Sequence, residues 1–288
     1  MEIYRKNLDF LPTLLYHIYE TERLEDMTVI RFVISDADGT LLCRSKLIDA
    51  PAFSRTVRTL GRHGIPLCIA SGRTYPALRT LFAPHADRLL YFPLDGALAI
   101  GGGQLLCGFP LSAESIADSL ALLSHARIRG VEFCTADRSY LLSSDTALHA
   151  SEKKRLGEEY TALMTADDFP HEPIYKIIVH THNGGSTFAL PRDTRAVYQS
   201  GIVTELVRTD VSKRRAAEVV CESLHIAPEE ILALGDSEND RELLTYAGTA
   251  VTVYGAPHSI FSLTKHHTQN AAQAILRFLD TDKTRKDG

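Results

Sequence analysis

The sequence is poor in the features that mark membrane-spanning, disulfide-stabilised and nucleic-acid-binding proteins. It has no tryptophan, three methionines and five scattered cysteines without a Cys-x-x-Cys pair, which disfavours a disulfide framework or zinc cluster and indicates reduced thiols. No run approaches the roughly 20 apolar residues that span a bilayer. The net charge of −5 is not that of a basic nucleic-acid-binding protein. We therefore expect a cytoplasmic protein with no membrane or nucleic-acid partner.

The length of 288 residues and the alternation of apolar and amphipathic segments indicate an α/β protein with two domains. Continuous apolar runs predict strands that are buried on both faces, and amphipathic stretches between them predict helices. We predict strands at 29–35, 65–70, 89–92, 231–234 and 251–253, helices at 51–63, 212–225 and 270–279, and helices ending near 82 and 247. This alternation predicts a doubly wound parallel sheet.

The middle of the chain has a different character and predicts an inserted domain. A glycine-rich turn predicts a hairpin over 97–107. The segment that follows predicts helices at 112–126, at 151–164 and after Pro191, with strands at 175–180 and 203–207. We therefore divide the chain into a core of 28–108 and 207–288, an inserted α/β domain at 109–206, and a helical extension at 1–27. The extension either packs on its own core or contacts a partner such as a second copy in a homodimer.

Two carboxylates follow the first predicted strand. Asp36 and Asp38 are separated by one residue and precede the turn residue Gly39. In open α/β sheets the binding crevice lies at the carboxyl ends of the strands, so both acids are expected there. Two close anions repel each other, and a bound cation removes that repulsion. Mg²⁺ is a hard ion that prefers oxygen ligands, so the pair predicts a magnesium site.

The strand at 231–234 leads into a second acidic cluster. Asp236 is the natural third oxygen ligand for the metal, and Asn239 can donate a hydrogen bond to a phosphoryl oxygen. Asp240 could orient ligands or waters behind them. Acids are also common at helix starts, but the recurrence at a second strand end favours function.

Two smaller features fit a phosphate site. The Ser71 hydroxyl, with the backbone N–H groups around Gly72, could hold a phosphate at a helix start. Lys213 begins another predicted helix and could neutralise a transferring phosphoryl group. Taken alone, Ser71 could equally be a helix cap and Lys213 a solvated charge.

These segments together resemble a known family. In chain order, Asp36-Ala37-Asp38-Gly39-Thr40, Ser71-Gly72-Arg73, Lys213, and Gly235 through Asp240 resemble the four motifs of the haloacid dehalogenase-like hydrolase superfamily. The segment VSKRRAAEVVCESLHIAPEEILALGDSENDREL is similar to its Cof-type branch. The resemblance covers most of 29–255. It implies a Rossmann-like core with a large α/β cap of the type IIB (C2B) kind, inserted where 109–206 lies.

The resemblance also implies a Mg²⁺-dependent phosphatase acting on a small phosphorylated metabolite. Asp36 would attack phosphorus, and Asp38 would protonate the leaving alcohol and then deprotonate the hydrolytic water. Asp36, the main-chain carbonyl of Asp38, and Asp236 would hold Mg²⁺. Phosphoryl oxygens would be bound by Ser71, Gly72, Lys213 and Asn239.

The sequence departs from the family pattern at a few positions. Asp95 stands where asparagine usually precedes glycine, and Arg214 stands where glycine often follows the motif lysine. Tyr254-Gly255-Ala256 replaces the usual Gly-Asn-Ala, and the Gly-Val pair of the final helix is not apparent near Asn270. All catalytic groups are retained.

The inserted domain offers several polar residues that could face the site. The candidates are His180, His182, Asn183, Gly184, Gly185, Arg127, Arg129 and Glu132, and each of them reads more readily as a solvated surface residue. Two other functions stay open from the sequence: phosphotransfer between sugar hydroxyls, as in a mutase, and metabolite sensing without catalysis.

Overall fold

The computed structural model of the chain describes residues 4–5, 8, 11–13, 15, 30–42, 48–163, 165, 168–182 and 188–284. The chain divides into two compact units. The larger contains Arg5–Gly72, Arg79–Cys107 and Ser212–Gly288, and the smaller contains Met1–Tyr4, Arg73–Leu78 and Gly108–Val211. The domain boundaries inferred from the sequence stay a prediction.

A nine-stranded sheet organises the larger unit. Its strands are β1 (Tyr4–Arg5), β2 (Phe32–Asp36), β3 (Leu67–Ala70), β4 (Leu90–Phe92), β5 (Leu98–Gly101), β6 (Gln104–Gly108), β13 (Ile231–Gly235), β14 (Thr249–Val253) and β15 (His266–Thr268). They lie in the order β1-β6-β5-β4-β3-β2-β13-β14-β15. The run from β4 to β15 is parallel, which confirms the doubly wound sheet that the sequence predicts.

The two central strands of this sheet bring distant parts of the chain together. The chain leaves β2 toward β3 and β4 on one side, and β13 continues toward β14 and β15 on the other, so β2 and β13 flank a topological switch point. Ser35 lies opposite Leu234, and Asp36 lies opposite Ala70. Both central strands are buried along their whole length, as continuous apolar runs require.

Both units contain α-helices, and several of these begin at side-chain caps. The helices are α1 (Ala50–Arg62), α2 (Tyr75–Leu81), α3 (Ala113–Ala121), α4 (Thr146–Leu156), α5 (Lys213–Leu224), α6 (Arg241–Tyr246), α7 (His258–Phe261) and α8 (Ala271–Thr284). The Asp49 carboxylate accepts from the Ala52 N–H at the start of α1, and the Ser212 hydroxyl accepts from the Arg215 N–H at the start of α5. The second cap fixes the first turn of the helix that begins with Lys213.

The smaller unit is built on a second sheet. Its strands are β7 (Ile128–Cys134), β8 (Ser139–Ser143), β9 (Tyr160–Leu163), β10 (Lys176–Thr181), β11 (Thr194–Gln199) and β12 (Val203–Arg208), in the order β11-β12-β10-β7-β8-β9. Val131 and Phe133 of β7 and Ile177 and Val179 of β10 are buried in one apolar cluster on one face of this sheet. The unit is therefore α/β, with its own hydrophobic core.

One helix predicted in this unit is wrong, and the bounds of a second are displaced along the chain. The segment after Pro191 forms strand β11, because Thr194–Gln199 contains the β-branched Thr194 and Val197 and the aromatic Tyr198 and pairs with β12 as a hairpin. The helix predicted at 151–164 begins earlier, at Thr146, because Asp145 caps it, and it ends at Gly157, whose φ is +59°. The strands β7 and β8 were not predicted.

Most of the predicted N-terminal extension lies outside the described residues. Residues 11–13 and 15 are helical, whereas Tyr4–Arg5 form strand β1. Leu8 and Leu11 are buried, and the Leu8 carbonyl accepts from the Ser223 hydroxyl at 2.9 Å. Within the part of the chain that the structure describes, the helices are all too short or too polar to cross a membrane.

Candidate active site

The predicted site residues lie at the carboxyl ends of three adjacent strands and at one helix start. Asp36 ends β2, Ser71 follows β3, and Asp236 follows β13. Lys213 is the first residue of α5. Because β3, β2 and β13 are parallel neighbours, their ends deliver these side chains to one edge of the sheet.

Lys213 is buried between two carboxylates. Its Nζ donates to Asp36 Oδ1 and to Asp240 Oδ1, each at 2.6 Å, and the residue is 1% exposed. Burial alone would lower the pKa of Lys213, but the carboxylates of Asp240, Asp36 and Asp95 raise it above its ordinary value. The lysine is therefore a fixed positive charge inside the site.

Asp36 has one oxygen occupied and one without a partner. Oδ1 accepts from Lys213, whereas the buried Oδ2 has no hydrogen-bond partner among the described residues. Burial raises the pKa of Asp36 well above its ordinary value, and the charges of Asp240 and Asp236 raise it further, against the lowering effect of Lys213. An unpaired, buried carboxylate oxygen is costly, so this atom is placed to engage a cation or an electrophile.

Asp236 lies against the turn that follows Asp36. Its Oδ1 accepts from the Thr40 hydroxyl at 3.3 Å. Its Oδ2 would lie 2.2 Å from a Cβ added at Gly39, so only glycine leaves room for this carboxylate. Burial and the charges of Asp240 and Asp38 raise the pKa of Asp236 to about 6, against the lowering effects of Thr40 and Lys213. The exposed Asp38 carboxylate is thus close enough to act electrostatically on Asp236.

Asp240 is fully buried, and both of its carboxylate oxygens accept hydrogen bonds from neighbouring groups. Its Oδ1 accepts from Lys213, and its Oδ2 accepts from the backbone N–H groups of Asp236 and Ser237, each at 3.0 Å. This arrangement holds the Asp236 turn and the Lys213 ammonium in place. The orienting role of Asp240 stays a prediction of the sequence, and these hydrogen bonds are the contacts through which it would act.

The predicted phosphate-binding groups surround a fourth carboxylate. Asn239 Nδ2 donates to Asp95 Oδ1 at 2.9 Å. The Asp95 carboxylate also lies beside Gly72, since a Cβ there would be 3.2 Å from Asp95 Oδ1. The Asp95 N–H donates to the carbonyl of the buried Ser71 at 2.9 Å. Ser71, Gly72 and Asn239 are thus brought together around Asp95.

The acidic groups fit a hard divalent cation. Ligand atoms of Asp36, Asp236 and Asp240 all lie within 4.8 Å of one another. Since Asp240 is already occupied by hydrogen bonds, the unpartnered Asp36 Oδ2 and the half-buried Asp236 are the carboxylates available to an ion. Oxygen-only donors and raised carboxyl pKa values suit Mg²⁺.

Polar candidates in the smaller unit differ in burial. Glu132 and His180 are buried, and His180 Nε2 lies 3.3 Å from Glu132 Oε2, so the solvated-surface interpretation is wrong for these two. Arg155 donates to both Glu132 oxygens, which supplies the buried charge with a partner. Burial raises the pKa of Glu132, but the hydrogen bond from His180 and the charge of Arg155 leave it below its ordinary value.

The other candidates in this unit lie at the surface or outside the described residues. Arg129 forms an ion pair with Asp145 at 2.8 Å. Arg127 and His182 are exposed, and the His182 N–H donates to the Arg127 carbonyl at 3.0 Å. Asn183, Gly184 and Gly185 lie outside the part of the chain that the structure describes.

Two contributors to the site received no role from the sequence. Thr40 binds Asp236, and Asp95 binds Asn239. Thr40 belongs to the Asp-Gly-Thr motif, so its position next to the acids was a usable signal. Asp95 stood out only as a departure from the family pattern, and its contact with Asn239 depends on chain segments 144 residues apart.

The chain thus combines a doubly wound α/β sheet with acids at the switch point and a buried lysine between them. A family model described as haloacid dehalogenase-like hydrolase matches residues 33–279. The chain therefore belongs to the haloacid dehalogenase-like hydrolase family, and this confirms the resemblance drawn from the motifs, including the Cof-type branch.

Similar proteins are phosphatases by name. A phosphoglycolate phosphatase of Natronomonas pharaonis is 35% identical over 261 residues, which cover 88% of this chain and 92% of that protein. The 5-amino-6-(5-phospho-D-ribitylamino)uracil phosphatase YbjI of Escherichia coli is 21% identical over 87% of this chain and 95% of its own length. The solved structure of a subclass IIB sugar phosphatase, BT4131, matches with a TM-score of 0.68 and 14% identity over 86% of this chain and 98% of that chain.

Proposed function

We propose that this protein is a Mg²⁺-dependent phosphatase that hydrolyses a small phosphorylated metabolite, such as a sugar phosphate or a phosphorylated cofactor, through an aspartyl-phosphate on Asp36. The observation that carries the proposal is the Asp36 carboxylate, which has one oxygen on Lys213 and a second, buried oxygen without a partner among the described residues. Membership of the hydrolase family supports it.

In the first step, Asp36 acts as the nucleophile. A carboxylate oxygen attacks phosphorus in line, and the bond from phosphorus to the ester oxygen breaks. Lys213 holds the carboxylate in one orientation, so little rearrangement is needed before attack. The exposed Asp38 donates its proton to the departing alkoxide.

In the second step, Asp38 acts as a base. It takes a proton from a water that attacks the phosphorus of the aspartyl-phosphate, and the bond from phosphorus to the Asp36 oxygen breaks. Inorganic phosphate is released and both aspartates return to their starting states. Asp38 suits a group that exchanges protons because it is exposed, in contrast to the buried Asp36.

The phosphoryl group is held by neighbouring donors. Lys213, Asn239, the Ser71 hydroxyl and the Gly72 backbone N–H are the groups we assign to its oxygens. The ion would be held by Asp36, the main-chain carbonyl of Asp38, and Asp236. When bound, Mg²⁺ supplies the positive charge that lets an anionic ester approach these acids.

The proposed substrate class is supported by the names of the similar proteins. Phosphoglycolate phosphatase and 5-amino-6-(5-phospho-D-ribitylamino)uracil phosphatase both denote enzymes for small phosphate esters. We also propose a cytoplasmic protein without nucleic-acid or membrane partners, consistent with its net charge of −5. A homodimer through the N-terminal segment stays part of the proposal.

A panel of phosphate monoesters tests the function. Phosphate release is measured with Mg²⁺ and with chelator for the wild type, Asp36→Asn and Asp118→Asn. Asp118 is the matched control because it lies in the smaller unit and pairs with Arg192 at 2.8 Å. We expect release that needs Mg²⁺, is lost in Asp36→Asn and is kept in Asp118→Asn. If every ester stays intact, or Asp36→Asn is fully active, the proposal fails, whereas an isomerised ester without phosphate release would indicate a mutase.

A further inference from the structure

The turn after β4 has an uncommon backbone conformation. Leu94, Asp95 and Gly96 have φ values of +53°, +60° and +87° in succession. Glycine and, less often, aspartate adopt positive φ, but leucine does so at a cost. Strain of this kind persists only where surrounding contacts enforce it, and such positions cluster at functional sites. Contacts around the turn must therefore enforce its conformation.

The turn is fixed from two sides by segments that carry predicted phosphate-binding groups. On one side the Asp95 N–H donates to the Ser71 carbonyl at 2.9 Å. On the other side Gly96 packs so closely that an added Cβ would lie 2.4 Å from the Ser212 carbonyl oxygen. The turn thus contacts the loop after β3 on one side and the start of the helix that begins with Lys213 on the other.

The Asp95 side chain, which is 4% exposed, determines which way the Asn239 amide faces. Asn239 Nδ2 donates to Asp95 Oδ1 at 2.9 Å, and Asn239 Oδ1 accepts from the Ser237 hydroxyl at 2.5 Å. A carboxylate can only accept, so Asp95 enforces the orientation with Nδ2 toward itself. An amide nitrogen carries two hydrogens, and this orientation leaves the second one for a phosphoryl oxygen.

We propose that Asp95 is a positioning residue that holds the Asn239 amide in the orientation needed to bind the phosphoryl group. The inference rests on the proposed function, because Asn239 is assigned there to a phosphoryl oxygen. Asp95 itself acts through Asn239 and does not touch the substrate. Its charge, which lies beside Gly72, disfavours an anion on its own and is offset in part by the ammonium of Lys213.

A double-mutant cycle tests the inference. The variants are Asp95→Gly, Asn239→Ala and the double variant, with inorganic phosphate in Mg²⁺ as the probe and calorimetry as the readout, alongside KM and kcat for any ester that the wild type hydrolyses. Glycine removes the carboxylate without strain at φ +60°. We expect Asp95→Gly to weaken phosphate binding about three- to tenfold, the size of one hydrogen bond. In the Asn239→Ala background the same change should alter binding by less than about twofold.

Two further variants separate positioning from charge and from backbone effects. Asp95→Asn keeps an acceptor for Asn239 and removes the negative charge, so phosphate binding should be at least as tight as in the wild type. Asp193→Gly is the matched control, because Asp193 also has a positive φ, of +53°, and is exposed in the smaller unit. It should leave phosphate binding unchanged. Thermal unfolding of each variant establishes that it is folded.

Additive effects of Asp95→Gly and Asn239→Ala would overturn the inference, as would an Asp95→Asn variant that is as impaired as Asp95→Gly. A wild type that hydrolyses no ester but shows the coupling in phosphate binding would leave the positioning role intact and overturn the proposed function alone. A wild type that neither binds phosphate in Mg²⁺ nor hydrolyses any ester would overturn both.

Discussion

At the scale of single residues, the site depends on a lysine that is surrounded by acids. Lys213 is 1% exposed and donates to Asp36 and Asp240, which belong to parts of the chain 177 and 27 residues away. A charge can be buried at moderate cost only when it is paired and hydrogen-bonded, and here each partner satisfies the other. The lysine and its two carboxylates therefore offset part of the cost of burying one another.

Replacing Lys213 should destabilise the protein. Lys213→Gln leaves Asp36 and Asp240 as buried like charges, so we expect the free energy of unfolding without Mg²⁺ to fall by about 3–5 kcal/mol. Urea unfolding measures it. Lys153→Gln, at an exposed position of α4, is the control and should change stability by less than about 0.5 kcal/mol. Equal stability of the two variants would show that the Lys213 pairs contribute little.

At the scale of elements, the turn after β2 leaves room for Asp236, which we propose as a metal ligand. Gly39 has φ +88°, and its missing Cβ makes room for Asp236. Gly157 has φ +59° at the end of α4 with nothing within 4 Å of an added Cβ. Both glycines have a positive φ, but only at Gly39 would an added Cβ meet a neighbouring side chain.

This difference gives a matched pair of variants. Gly39→Ala should raise the Mg²⁺ concentration for half-maximal activity roughly tenfold or more, because the new methyl group displaces the Asp236 carboxylate. Both variants should lower the free energy of unfolding by about 1 kcal/mol, because alanine is strained at a positive φ. Gly157→Ala should do so without changing the response to Mg²⁺. Mg²⁺ titrations of activity and thermal unfolding measure both. A Gly39→Ala variant with an unaltered Mg²⁺ response would argue against Asp236 as a ligand.

The elements of the core could be predicted from the sequence, and several of the smaller unit could not. Strands such as Ile231–Gly235 are continuous apolar runs, and this signal is local. Strand β7 contains Arg129 and Glu132, so its sequence does not show the apolar pattern of a buried strand. Glu132 is buried because Arg155 and His180, which belong to other elements, pair with it. Strand β11 follows a proline that equally suits a helix start, and only pairing with β12 decides between them.

The acids of the candidate site could likewise be predicted, because each follows a strand. The contact between Asp95 and Asn239 could not, since it depends on a strained turn and on tertiary packing. The same holds for the unpartnered oxygen of Asp36, which is a property of the folded environment.

At the scale of the whole molecule, negative charge is concentrated at the site that we propose for an anionic ester. The chain has a net charge of −5, and Asp36, Asp236 and Asp240 converge on Lys213. Burial raises the pKa of Asp36 and raises that of Asp236 from 3.8 to about 6. At these two carboxyl groups the folded state without Mg²⁺ therefore binds protons more tightly than the unfolded chain does.

This difference fixes the sign of a pH effect. Because the folded state holds protons more tightly at Asp36 and Asp236, the contribution of these two groups to the free energy of unfolding without Mg²⁺ should decrease as pH rises from 3.8 through about 6. Mg²⁺ competes with those protons, so it should raise the melting temperature more near about pH 8 than near about pH 5. Thermal unfolding with and without Mg²⁺ measures the difference, and Asp236→Asn should reduce it. An equal or larger Mg²⁺ effect at the lower pH would contradict this account.

The most direct test of the central claim is to trap the phosphoryl group on the enzyme. In Asp38→Ala the base that activates the hydrolytic water is missing, while p-nitrophenolate leaves without needing a proton, so attack by Asp36 should outpace hydrolysis. Asp38→Ala is incubated with Mg²⁺ and p-nitrophenyl phosphate, quenched in acid, and digested for mass spectrometry. We predict one added phosphoryl group on Asp36, which is absent from the variant that also carries Asp36→Asn. Stoichiometric release of p-nitrophenol with the phosphoryl group on another residue, or undiminished release when Asp36 is replaced, would contradict the assignment of Asp36 as the nucleophile.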